Sequence, residues 1–166
     1  HTEAMLLERV AEIDCMENKV QESLEKISKA STVFKEVGNL TELFRCEQVN
    51  VKLFRMERDY VSALRSADRS NEIGNSMNDE KKTFISLMQK EVMTMLSRKT
   101  GDMTTLLNME KEIPSEEIRA MYYHELSIVS EKSQKAKYQS MAISIYKKLL
   151  ENTPKYEYEL KIKTLS

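Results

Sequence analysis

The chain has little of the residues that interrupt or cross-link structure: three glycines, two prolines and two cysteines in 166 residues, with no tryptophan and two histidines. So little glycine and proline excludes collagen-like and low-complexity chains, and two cysteines cannot frame a disulfide scaffold. No stretch of about 18 apolar residues is present, so nothing reads as a membrane span. A dominant charge sign is also missing, because 26 Lys and Arg stand against 27 Asp and Glu for a net charge of -1. Such a balance provides no global field to hold nucleic acid or anionic lipid, and any basic surface must be local.

Catalytic patterns are equally sparse. His124-Glu125 opens like a zinc-protease helix, but Ile128 stands where the second histidine is needed. One interior histidine supports neither a metal cluster nor a Ser-His-Asp arrangement, and the glycines form neither a phosphate loop nor a dinucleotide fingerprint. Glu116-Glu117 suit a helix N-terminus better than an acid and base pair. The expectation is a protein without metal, cofactor or catalysis. Cys15 and Cys46, set in apolar helical contexts without CxxC spacing, read as buried reduced thiols. The N-terminus lacks the basic-then-apolar order of a secretory signal, but the chain begins with His1 and not Met, so that lack decides nothing; a cytoplasmic location is the expectation, with a periplasmic or secreted one as the alternative.

What the chain does have is a helical period along nearly its whole length. Apolar residues recur at steps of three and four in Met5, Leu6, Val10 and Ile13, in Leu43, Cys46, Val49 and Leu53, and in Phe84, Leu87, Met88 and Val92. Strand-like alternation occurs once, in Tyr156, Tyr158, Leu160 and Ile162, where a short terminal helix is preferred because no partner strand is visible. Breakers at Gly38-Asn39, Gly74-Asn75, Gly101-Asp102, Pro114-Ser115 and Thr153-Pro154 divide the sequence. They predict helices over 3–16, 19–37, 41–56, 59–73, 79–98, 102–112, 116–131 and 136–152, with a ninth from 155. Gly38 and Gly74 are expected to take positive φ just past helix ends, and Ser115 to cap the helix after it.

A weak internal repeat lies over these helices. Lys35-Glu36-Val37-Gly38-Asn39 returns as Asn71-Glu72-Ile73-Gly74-Asn75. Arg58 to Leu64 aligns with Gly101 to Leu107, and more loosely with Asn18 to Leu24 and Lys137 to Ile143, giving offsets of 40, 43 and 36. One column of that alignment, Ser23, Ala63, Leu106 and Ala142, is mostly small, as a close helix contact requires.

At Asp59-Tyr60-Val61-Ser62-Ala63-Leu64 with Ala67, and at Ala142, Tyr146, Leu149, Leu150 and Pro154, the chain resembles tetratricopeptide-like helical hairpins. The resemblance covers roughly residues 18 to 154, with offsets longer than the family's period of about 34 residues. Its Glu-Ile-Gly-Asn style helix ends are similar to those in helical-repeat regions of bacterial regulators and sensor proteins. The resemblance implies an all-α fold of tandem antiparallel hairpins in one domain spanning 1–166, a fragment of a larger protein. It also implies a groove lined by each hairpin's first helix.

By that register the helix over 41–56 presents a polar stripe of Arg45, Gln48, Lys52 and Arg55, and the helix over 79–98 adds Glu91 and Arg98. Three cations and an amide on one helical face suit the carboxylates and carbonyls of an extended segment. The expected partner is therefore a protein or peptide segment, acidic in character. The alternative is an oligomerisation module that pairs with a copy of itself. A local excess of lysine after residue 132 is noted, but the shortage of arginine there and the lack of a reading helix argue against sequence-specific nucleic-acid binding.

Overall fold

The computed structural model describes residues 2–98 and 103–166. Among them the chain is all-helical: α1 (Thr2–Met16), α2 (Val20–Glu36), α3 (Leu40–Met56), α4 (Tyr60–Ser76), α5 (Glu80–Arg98), α6 (Thr104–Asn108), α7 (Glu116–Val129), α8 (Lys132–Asn152) and α9 (Tyr156–Leu165). A 3-10 turn, Met109–Glu112, continues α6. The Gly101-Asp102 break and the predicted helix start at 102 lie outside the described residues. The segment with strand-like alternation is the helix α9, as preferred. The chain forms two compact units, His1–Ser97 and Arg98–Ser166.

In the first unit, successive helices pack as antiparallel hairpins, α1 on α2, α2 on α3 and α3 on α4. The joints between them share one design. Asn18, Gly38, Arg58 and Asn78 take left-handed conformations with φ of 63, 67, 59 and 51°, each twenty residues after the last. At every joint the left-handed residue and the one after it reach back to carbonyls of the last helical turn. The second of these bonds runs from Lys19 N–H to Asp14 (2.8 Å), Asn39 to Phe34 (2.9 Å), Asp59 to Phe54 (2.8 Å) and Asp79 to Gly74 (3.1 Å). That same second residue opens the next helix. Asn39, Asp59 and Asp79 each accept the N–H three residues on, at 3.2, 3.0 and 3.0 Å, so one side chain ends one helix and caps another.

This joint corrects the reading of Gly74. The left-handed position is Asn78, and α4 continues to Ser76, three residues past the predicted end. Gly74-Asn75 copies the letters of Gly38-Asn39 one helical turn out of register. Gly74 has a packing role instead: a Cβ there would stand 3.0 Å from the Thr83 backbone nitrogen and 3.3 Å from the Lys82 carbonyl carbon. Its bare backbone lets the first turn of α5 approach α4.

The small column behaves as expected of a close contact, with Ser23, Ala63 and Ala142 all buried completely. Ser23 donates to the Ala11 carbonyl at 2.7 Å, tying α2 to the backbone of α1. Around it Ala4, Ala11, Cys15, Ile27, Ala30, Phe34, Cys46, Val49 and Leu53 form a core shared by α1, α2 and α3. Both cysteines are free and buried. Burial pushes the Cys46 thiol up to about 12, so it stays protonated and unreactive.

In the second unit α7 packs on α8 and α8 on α9. Ser115 caps α7 as predicted, its Oγ accepting Ile118 N–H at 3.3 Å. The tyrosines concentrated in this half build the core: Tyr122, Tyr123, Tyr138, Tyr146 and Tyr158 are buried and Tyr156 is exposed. Their hydroxyls find partners at the edge of that core. Tyr122 donates to the Leu106 carbonyl (2.9 Å), Tyr123 to Glu110 (2.6 Å) and Tyr158 to Glu117 (2.7 Å).

Two stability changes follow. Ala63→Leu should overpack the hairpin contact and cost about 1 to 3 kcal/mol in denaturant unfolding. Arg58 bears a left-handed backbone with a β-carbon on the exposed side of its joint, so Arg58→Gly should stabilise by about 1 kcal/mol and raise Tm.

Candidate functional site

The repeating joints place residues 40 apart at equivalent points of the hairpins, which explains where the predicted stripe on α3 lies. Gln48 is equivalent to Glu8 of α1 and Met88 of α5, and both of those are almost wholly buried, at 0% and 1% exposure. The position is a seam between helices and not an open face. Arg45 turns toward α1, where its Nη2 stands 3.3 Å from both Glu8 Oε1 and Glu12 Oε2, while Nη1 is 3.6 Å from Glu42. Gln48 turns toward α5 and exchanges two amide hydrogen bonds with Gln89, at 2.9 and 2.8 Å. Its Nε2 also donates to Ser70 Oγ of α4 at 3.2 Å.

The expectation that the stripe faces water as one surface therefore does not hold for Arg45 and Gln48. Lys52 is exposed and Arg55 half-buried. On α5, Glu91 is half-buried, and Arg98, the last residue of that helix, is exposed and belongs to the second unit. The structure thus gathers Arg45 and Gln48 into internal contacts and does not bring all six predicted residues into one surface.

Glu8 is the most unusual charge in this seam. Its side chain is wholly buried, its neighbours include Glu12 and Glu42, and its carboxylate oxygens have no hydrogen-bond partner. Compensation comes from ion pairs with Arg45 and, at 3.4 Å, with Arg9. Burial, then repulsion from Glu12, lifts its pKa from 4.5 to about 7, against the pull of Arg9 and with a further push from Glu42. No periodicity argument marked Glu8. The only trace in the sequence is a glutamate on the same helical face as Ala4, Ala11 and Cys15.

A second feature went unmarked in the sequence. An open cleft of about 400 Å³ lies against α2, α3 and α4, lined by Leu24, Ser28, Ser31, Thr32 and Lys35 from α2, Asn50 and Phe54 from α3, and Arg69 from α4. That volume lies within the range of ligand-binding clefts. Its origin shows in the 40-residue equivalence. Ser28 and Asn50 correspond to Asp68 and Lys90, which meet across α4 and α5 in a 2.7 Å ion pair. Where the later hairpin places a carboxylate and a long lysine in contact, the earlier one has a hydroxymethyl and a short amide. Arg69 closes one wall, held in a two-point pair with Glu47 at 2.8 and 2.9 Å. The signal available beforehand was the polar run Ser28, Ser31 and Thr32 on one face of α2.

The cleft offers hydroxyl and amide groups that both donate and accept, two apolar walls and the exposed ammonium of Lys35, but no nucleophile paired with a base. No cluster of three or more His, Cys, Asp or Glu able to hold a metal is found among the described residues. No described helix is long and apolar enough to cross a membrane. No family model matches the chain, and neither curated proteins nor solved structures give a match.

The raised Glu8 pKa sets a pH dependence. A carboxyl whose folded pKa lies above its unfolded value adds stability that is complete below about 4.5 and lost as pH rises through about 7. Wild type should therefore lose stability between roughly pH 5 and 8, by on the order of 3 kcal/mol from this group. Glu8→Gln should flatten that slope in urea titrations run across the interval, and an equal slope in both proteins would count against the assignment.

Proposed function

We propose that the chain is a non-catalytic helical-hairpin module that binds a short extended protein or peptide segment in the cleft of α2, α3 and α4. The observation that carries this reading is the replacement of the Asp68–Lys90 ion pair by Ser28 and Asn50 at the equivalent point, which leaves polar, open space between helices. Hydroxyls and an amide suit the N–H and C=O groups of a peptide backbone. Leu24 and Phe54 suit an apolar side chain, and Lys35 suits a carboxylate on the segment. The resemblance to tetratricopeptide-like hairpins supports the same function class and extends the proposal to a binding module within a larger bacterial regulatory or signal-transduction protein.

Arg45 and Gln48 have a supporting role in this proposal. They lock α3 between α1 and α5, and so fix the wall that carries Asn50 and Phe54. The partner-facing charge passes from the predicted stripe to Lys35.

Selection of a displayed library of short random peptides against the purified chain tests the proposal. Wild type should enrich peptides bearing an apolar residue near a carboxylate. Ser28→Trp, which fills the cleft from an exposed position, should lose them at least tenfold in Kd with helical circular dichroism unchanged, a loss of about 1.4 kcal/mol. Lys35→Glu should weaken capture and abolish part of its salt dependence. Peptides that bind the Ser28→Trp protein as well as wild type would place binding elsewhere.

A further inference from the structure

A buried carboxylate stands behind the cleft of α2, α3 and α4. Glu47 of α3 is 8% exposed. The equivalent residues 40 positions away in α1 and α5 are Leu7 and Leu87, so the hairpin repeat itself does not call for an acid at this point. What Glu47 touches is the wall of the cleft. Its Oε1 accepts from Arg69 Nε at 2.8 Å and its Oε2 from Arg69 Nη2 at 2.9 Å, and Oε2 also accepts from Asn50 Nδ2 at 3.4 Å. Arg69 Nη2 is tied further to Ser66 Oγ at 2.9 Å. One carboxylate thus orients two of the residues that line the cleft.

This pairing fixes what a bound group meets. A two-point pair holds the guanidinium plane in one orientation. Because Nε and Nη2 are engaged by Glu47 and Ser66, Nη1 is the nitrogen left to donate to a ligand. The charge is set as well. Lys35 and Arg69 are the cations of the lining, and among the described residues no carboxylate lines the cleft, while Glu47 behind it cancels one of the two. A single positive charge is left for an occupant. A carboxylate, with one negative charge, matches it. A phosphoryl group carries about -1.5 to -2 at pH 7 and brings the surplus against a buried carboxylate that salt screens little.

We propose that Glu47 determines the specificity of the cleft: as a positioning residue acting through Arg69 and Asn50, it admits a carboxylate on the bound segment and rejects a phosphoryl group. This rests on the peptide-binding reading of the cleft and adds the kind of anion selected there. Lys35 and Arg69 Nη1 attract either anion, so they cannot discriminate. The difference comes from Glu47, since a like charge left without compensation excludes a competitor that shares every attractive contact.

Fluorescence anisotropy with three synthetic peptides tests the proposal. The parent is a selected peptide that binds wild type and is lost in Ser28→Trp, made with glutamate, phosphoserine or glutamine at its charged position. Wild type should bind the glutamate form about tenfold or more tightly than the other two. Glu47→Gln, which keeps an oxygen for Arg69 and loses the charge, should tighten the phosphoserine form about tenfold and erase the preference, whereas an acid of purely structural use would weaken all three forms together. Arg69→Lys, which keeps the charge but cannot pair at two points, should weaken the glutamate form about threefold and still prefer it to phosphoserine. The wild-type comparison stands whether or not a variant keeps its helical circular dichroism. Equal binding of the glutamate and phosphoserine forms by wild type, or a parallel loss of all forms in a folded Glu47→Gln protein, would overturn the role of Glu47 and leave the cleft as the peptide site. Failure to select any peptide sensitive to Ser28→Trp would overturn both.

Discussion

The three-residue joint between helices is the constraint on which the first unit depends. A left-handed residue reverses the chain, the following N–H closes on a carbonyl five residues back, and at three of the four joints that same residue caps the next helix with its side chain. Because the joint recurs every twenty residues, each helix begins at the same rotational phase as its predecessor. Equivalent side chains then fall on equivalent faces. A single glycine serves at one joint, and asparagine or arginine at the other three, so the turn is held by its hydrogen bonds as much as by backbone freedom.

Phase alignment determines how charge is distributed in the unit. It brings position 8 of the chain and its equivalents 48 and 88 onto the faces of α1, α3 and α5 that are turned to neighbouring helices, and these residues are a glutamate, a glutamine and a methionine. The glutamine satisfies both ends of its amide by exchanging bonds with Gln89. The glutamate has no such partner and relies on Arg45 and Arg9, an arrangement in which desolvation offsets much of the Coulomb attraction. Buried polar groups of this kind cost more when mismatched than apolar residues do, so they favour one alignment of neighbouring helices over others.

The same alignment separates two kinds of surface. One is the cleft, formed where short polar residues replace an ion pair, and the other is the outer side of α1, where Leu6, Val10, Ile13 and Met16 are exposed. They lie on different helices and carry different chemistry. Hydroxyls, an amide and an ammonium line the first, whereas the second carries a leucine, a valine, an isoleucine and a methionine. The second unit follows a different principle, using tyrosines whose rings fill the core and whose hydroxyls bind backbone and carboxylate at its edge.

The sequence by itself determined that the chain is helical, nearly where each helix runs, and that Ser23, Ala63 and Ala142 lie at tight contacts, because the apolar period and small side chains act over one or two turns. It also located the left-handed turn at Gly38 and the cap at Ser115, both local hydrogen-bonding requirements. Tertiary structure decided everything that depends on which helix stands opposite. Gly74 carried the letters of a turn, yet it serves the approach of α5. Arg45 and Gln48 carried the pattern of a solvated stripe, yet a carboxylate 37 residues earlier and an amide 41 residues later claim them. Leu6, Val10 and Ile13 carried the period of a core face, yet they point outward, because only the phase shared with α3 and α5 distinguishes a face that is covered from one that is not. A helical period reports that two faces differ. Which neighbour meets each face is fixed by joints and packing spread over 40 residues or more, beyond the reach of any local pattern.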